Sequence, residues 1–154
     1  MVDLILWRHA DAEDWVEGKD DLERSLTARG EKQAARMASW LDRHLPETTR
    51  ILSSPARRCE QTVLPLGRKY KVKAELVPEC TPQILLELAQ WQEVRAPVLI
   101  VGHQPTLGKT IAQLLSLKQD ICPVRKGAVW WIRHRERDGQ SQTVVIASLT
   151  PDVV

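Results

Sequence analysis

Cysteine is scarce in this chain, its apolar runs are short, and neither sign of charge prevails. The three cysteines, Cys59, Cys80 and Cys122, are odd in number and lack metal-ligand spacing. A reducing, cytoplasmic setting with no metal site is therefore expected. No apolar stretch approaches the roughly 18 residues of a membrane helix. Met1–Trp7 runs straight into Arg8 and His9 rather than into a long signal core, so no membrane partner is expected. Lys plus Arg number 22 against 20 Asp plus Glu, a balance too even to indicate a nucleic-acid protein by charge. Internal repeats and low-complexity tracts are also missing.

What is present is ordinary globular composition. Hydrophobic residues make up 43% and charged residues 27%, which argues against disorder. At 154 residues the chain is long enough for one sizeable core, so residues 1–154 are expected to form one domain.

Strand and helix signals alternate along it. Val2–Trp7 is apolar and rich in β-formers, and reads as a buried strand. Asp11–Glu23 is polar and acidic and reads as a surface loop. Thr27 has the character of an N-cap, followed by Ala34, Met37, Ala38, Leu41 and Leu45 at helical spacing, with Pro46 as the stop. Ile51–Ser53 is the next strand, and Ser54-Pro55 reads as N-cap and first turn of a second helix. Cys59, Val63 and Leu66 form that helix's buried stripe, and Pro65 should kink or shorten it. Ala74–Val77 is a candidate third strand, Gln83–Gln92 a helix, Val98–Val101 a buried strand and Thr106–Leu115 another helix. Ala128–Arg133 and Val144–Leu149 flank Asp138-Gly139, a hairpin signal in which alternation sends one ring of Trp130-Trp131 inward and the other outward. The pattern predicts a three-layer α/β/α sandwich: a mainly parallel sheet, helices on both faces, and a C-terminal antiparallel hairpin.

Ligands on such sheets bind beyond the carboxyl ends of the strands. Three apolar strands here run into Arg8-His9, Ser53-Ser54-Pro55-Ala56-Arg57-Arg58 and Gly102-His103-Gln104-Pro105. Each has an ordinary structural reading on its own: a hydrogen-bonded histidine, a solvated arginine face, a tight turn. Converging on one sheet edge, they suit a phosphoryl group. A guanidinium binds phosphate oxygens in pairs and stays charged. Helices starting near Pro55 and Thr106 add amide donors. A histidine kept neutral by nearby cations is a competent nucleophile towards phosphorus. Two arginines and a second histidine would neutralise transition-state charge, so neither metal nor cofactor is called for.

Four ordered segments resemble the histidine phosphatase superfamily, the clan of phosphoglycerate mutase and acid phosphatases. Leu6-Trp7-Arg8-His9-Ala10 is similar to its Arg-His-Gly signature, with Ala10 in place of glycine. Leu26-Thr27-Ala28-Arg29-Gly30 is similar to its Leu-Thr-x-x-Gly helix start. Ser53–Thr62 resembles its Ser-x-x-x-Arg-x-x-Gln-Thr segment, and Val101–Pro105 its second-histidine turn. The small size and Leu76–Pro82 resemble the SixA-type phosphohistidine phosphatases.

The resemblance implies roles. His9 would be the nucleophile that becomes phosphorylated, Arg8 would hold the phosphoryl group, and His103 would complete the pocket. Arg58, rather than Arg57, has the clan's spacing to Gln61-Thr62. Glu79 lies near where larger members carry a catalytic glutamate and is the candidate general acid, against the plain alternative of a solvated loop carboxylate. Water would then hydrolyse phospho-His9.

The expected function is that of a metal-independent phosphatase acting on phosphohistidine in a protein, such as a histidine-phosphotransfer domain. The sequence leaves little room for a lid, and an open pocket suits a protein-borne phosphoryl group. The alternative substrates are a small phosphate ester or a nucleotide, and the alternative class is a phosphate-binding module without turnover. A mutase is disfavoured because it needs a closed site to shield the phospho-enzyme from water. Asp11, Asp14 and Glu17, close behind His9, are either solvated or steer a partner.

Overall fold

Alternation along the first strand divides the hydrophobic core in two. In the computed structural model, which describes residues 1–154, β1 spans Val2–Arg8. Ile5 and Trp7 point to one face and Leu4 and Leu6 to the other, all buried, as a period of two dictates for a strand covered on both sides. On the Ile5 face lie α1 (Ala28–His44) and α2 (Arg57–Val63), contributing Met37, Leu41, Cys59 and Val63. On the Leu6 face lie α3 (Pro82–Ala89) and α4 (Thr106–Leu114), contributing Leu85, Ala89, Leu107 and Ile111. The result is the three-layer sandwich expected from the alternation of elements.

The sheet also contains β2 (Arg50–Ser53), β3 (Lys71–Val72), β4 (Val98–Gly102), β5 (Val129–Arg137) and β6 (Gln140–Leu149). Its order is β3-β2-β4-β1-β5-β6. The first four strands are parallel, and β5 and β6 are antiparallel additions. The hairpin turns on Asp138 and Gly139, with φ of 53° and 76°, the positive pair that a two-residue hairpin turn demands. Trp131 is buried against the α1 side, and Trp130 packs half-buried against the other.

Three elements differ from expectation. Ala74–Val77 is not a strand: Ala74–Leu76 forms a 3-10 turn, and only Leu76 of that segment is buried. The edge strand lies earlier, at Lys71–Val72, where both side chains are exposed, so no apolar pattern marks it. Ser54 does not cap α2, which begins after Ala56. Its hydroxyl accepts the Ala56 amide inside the turn before the helix. Pro65 ends α2 at Val63, and the chain continues as a 3-10 turn over Leu64–Leu66. The predicted helix Gln83–Gln92 instead runs from the Thr81 cap to Ala89, stopping where Gln90 turns left-handed.

α1 is seated by its first turn. The Thr27 hydroxyl accepts the Gly30 amide as an N-cap should. A Cβ on Gly30 would lie 1.9 Å from the Asp11 carbonyl oxygen, so only glycine lets this first turn lie against the segment that follows His9.

Candidate active site

β2, β4 and β1 are neighbours and parallel, so their carboxyl ends lie level. Arg8 pairs with Gly102 and Ser53 with Val101. Two further bonds carry the ladder past the strands: the His9 amide donates to Gly102 and the Ser54 amide to Val101. Backbone pairing alone thus sets His9, Ser54 and His103 side by side, from three distant stretches of sequence.

His9 is 6% exposed and its ring centroid lies 5.5 Å from that of His103. His9 Nδ1 is 2.8 Å from the Ala10 carbonyl oxygen. A carbonyl only accepts, so Nδ1 carries the proton and Nε2 keeps its lone pair. Burial, and the charges of Arg58, Arg8 and Arg24, bring the His9 pKa down to about 4, against the opposing pull of the Ala10 bond. The ring is therefore neutral at ordinary pH. That combination, neutral and with Nε2 unencumbered on a cavity wall, is what attack on phosphorus requires.

Arg58 follows from the first turn of α2 and is 2% exposed, whereas Arg57 points to solvent. Its Nη1 donates to the Asp21 carbonyl oxygen at 2.8 Å and its Nη2 to the Asp21 carboxylate at 3.0 Å. Nη2 also approaches His103 Nδ1 at 3.4 Å. Nδ1 then accepts, which leaves His103 Nε2 to donate to the Ser54 hydroxyl at 2.8 Å. Burial, Arg58 and His9 push the His103 pKa down to about 3. Burial raises the Asp21 pKa, but hydrogen bonds from Arg58 and Arg24 outweigh it and hold the carboxyl below its usual range. Arg8 is fixed by a 2.8 Å bond from Nη1 to the Val124 carbonyl.

The Nε–H groups of both Arg8 and Arg58 are buried and make no hydrogen bond. An unmet buried donor costs about 1–3 kcal/mol. The cavity is about 290 Å³ and is lined by His9, His103, Arg8, Arg58, Arg24 and Lys126, with Asp14 and Asp21 opposing. Four cations against two carboxylates leave a positive field for an incoming phosphoryl dianion.

Glu79 is not brought to this cavity. Its side chain is exposed, and its neighbour Pro78 is the residue of that loop on the wall. Ala10 is fully buried beside Ala12, Leu26 and Ala34, and its amide donates to the Thr62 hydroxyl. Its φ is not positive, so the methyl in place of the usual glycine carries no backbone strain. Cys59 lies 3.6 Å beneath His103 Nε2, and burial pushes its thiol up to about 12. It stays protonated and acts as packing.

Sequence reading missed Asp21, Arg24, Ser54 and Lys126. Asp21 and Arg24 lie in an acidic loop whose charges look solvated in one dimension. Lys126 is carried in from 115 residues beyond its partner Asp11. Of the acidic residues after His9, Asp14 reaches the cavity, while Asp11 binds Lys126 and the Thr27 hydroxyl.

Sheet order, paired histidines and buried arginines define a class. The chain belongs to the histidine phosphatase superfamily (branch 1), whose model matches residues 4–81. Within it, the chain is similar to the phosphohistidine phosphatase SixA of Escherichia coli, at 34% identity over 119 residues, covering 72% of this chain and 73% of that one. It is likewise similar to the SixA homolog of Haemophilus influenzae, at 27% identity with 97% of each chain covered. The structure of the protein histidine phosphatase SixA complexed with tungstate superposes with a TM-score of 0.80 and 26% identity over 98% of both chains.

Proposed function

We propose that this chain removes phosphoryl groups from phosphohistidine in a protein, through a covalent phospho-His9 intermediate. The observation that carries the reading is the His9 tautomer. Nδ1 is spent on the Ala10 carbonyl, so the lone pair on Nε2 faces a cavity walled by Arg8 and Arg58. A module that only binds phosphate gains nothing from an unprotonated nitrogen there.

In the first step His9 Nε2 forms a bond to phosphorus as the bond from phosphorus to the substrate's imidazole nitrogen breaks. A proton taken up from water by the substrate ring's other nitrogen, which bears none in the neutral N-phosphorylated ring, lets it leave as neutral imidazole. No strong acid is needed, which fits a cavity that Glu79 does not reach. Arg8 and Arg58 hold the equatorial oxygens while charge spreads over them. Water then attacks phospho-His9, phosphate leaves, and the neutral imidazole is restored. Tungstate is a tetrahedral oxyanion, and a relative of the same architecture is complexed with it, which supports reading this chain as an oxyanion binder.

A small ester is served less well. Ala12 and Pro78 are the only apolar residues on the cavity wall, which leaves little to grip a sugar or base. The partner is therefore a phosphorylated protein. Its setting is a reducing one such as the cytoplasm, supported by three unpaired cysteines. No helix is long and apolar enough to cross a membrane.

Brief mixing with a histidine-phosphotransfer domain phosphorylated on histidine tests the reading. Acid-labile, base-stable phosphate should appear on His9, and phosphate release should exceed that from sugar phosphates and nucleotides. Faster release from the small esters would transfer the assignment to them.

A further inference from the structure

Beside the catalytic cavity lies a second and larger one, of about 690 Å³, and the two share Arg8 and Lys126 as a common wall. Arg29, Lys32 and Arg36 line one side of it. They are spaced three and four residues apart on α1, so they form one helix face about 10 Å long. Arg125, in the loop before β5, stands on the opposite side. Pro151 is the one apolar side chain on the groove wall.

Two carboxylates interrupt the basic lining, and both are engaged. Asp11 binds Lys126 and Thr27, and Asp152 accepts from the Thr150 hydroxyl. Arg36 donates to the Val154 carbonyl oxygen. Arg29, Lys32 and Arg125 have no side-chain partner of their own, so the groove holds unpaired like charges that an anionic guest would neutralise.

We propose that this groove docks an acidic patch of the phosphorylated protein, seating its carboxylates along α1 while the phosphoryl group enters the catalytic cavity. The inference rests on the phosphohistidine-protein reading above. The groove is too long and too polar for a single further phosphate or for a nucleobase, which would need an apolar wall. The catalytic cavity itself argues against a nucleic acid. Asp14 and Asp21 line it, with Glu13, Glu17 and Asp20 exposed nearby in the sequence after His9, and a continuous polyanion crossing the site would meet the two lining carboxylates. A folded protein surface can present acidic groups to one rim and neutral or basic groups to the other.

The test compares two substrates: an acidic domain phosphorylated on histidine, and free phosphohistidine. Charge reversal at Arg29→Glu with Arg36→Glu touches no residue of the catalytic cavity. kcat/KM for the domain should fall about tenfold or more, and its dependence on salt should flatten. Free phosphohistidine should be turned over within about twofold of wild type, because the reacting groups are untouched. Equal losses on both substrates, or no loss on the domain, would overturn the docking role while leaving the phosphatase reading standing. A loss confined to a small ester bearing a second phosphate would assign the groove to that phosphate and overturn it too. A wild-type protein that hydrolyses small esters but neither phosphohistidine substrate would overturn the substrate reading and this inference together.

Discussion

Asp21 grips Arg58 from two directions, through its backbone carbonyl and its carboxylate. An acidic side chain in a cavity built for anions opposes the substrate's charge, yet it orients the guanidinium that must meet it. Asp21→Asn separates the two effects, because the carbonyl contact survives. Inhibitory phosphate should bind no more weakly than to wild type, while kcat falls about tenfold as Arg58 loses its alignment. A change in KM alone, with kcat intact, would argue that Asp21 does not position Arg58.

The nucleophile is tested by removal. His9→Ala should lower turnover by about a thousandfold or more and abolish the trapped phospho-protein, while phosphate and tungstate still bind. Arg58→Ala should lower kcat/KM by about a hundredfold, with the phospho-enzyme still formed. Phosphate release and quench-flow trapping measure both. A wild-type rate in the His9 variant would exclude a covalent route.

The two histidines make stability depend on pH. Their pKa values in the folded protein, about 4 for His9 and about 3 for His103, lie below the ordinary value near 6.5. The unfolded chain therefore binds protons first as pH falls. Their contribution is fully present above about pH 6.5 and is lost progressively below it. Each should cost roughly 2 kcal/mol of stability at pH 5. Denaturant unfolding at pH 7 and 5, with the same comparison for a His103→Gln variant, measures this. Ring-proton NMR should find both histidines neutral at pH 5.5.

Oxyanion binding should reverse part of that shift. Burial and the charge of Arg58 hold His103 neutral; a dianion between Arg8 and Arg58 offsets the second of these, so its pKa should rise. Binding of sulfate, which is a dianion at pH 5, should then be accompanied by proton uptake. Calorimetry in buffers of different ionisation enthalpy reads it directly, and no buffer dependence would count against protonation of His103 in the complex.

Gly30→Ala probes the seat of α1. The new Cβ would collide with the Asp11 carbonyl oxygen, and neither backbone can yield without moving the helix or the segment after His9. A loss of about 2–4 kcal/mol is expected, with lowered kcat. Unchanged thermal unfolding would show that the contact relaxes freely.

Legibility tracked burial. β1 and β4 stood out because strands buried on both faces are continuous apolar runs, and the hairpin because Asp138-Gly139 demands its turn. β3 did not, since two exposed residues at a sheet edge carry no pattern. The Ser54-Pro55 helix start misled because the serine hydroxyl serves the turn and His103 rather than a helix end.

By itself, the order of residues determined the layered α/β architecture and the chemistry on offer, because apolar periodicity and residue type are local properties. Arg8, His9 and His103 could be singled out on that basis, and Arg58 over Arg57 only by the family motif that its segment resembles. Only the folded sheet decided which nitrogen of His9 is free, that Asp21 aligns Arg58, that Glu79 stays outside, and that a basic groove adjoins the cavity. Those facts depend on groups far apart in the chain meeting in a desolvated place, where position and burial, rather than identity, set the protonation and the charge.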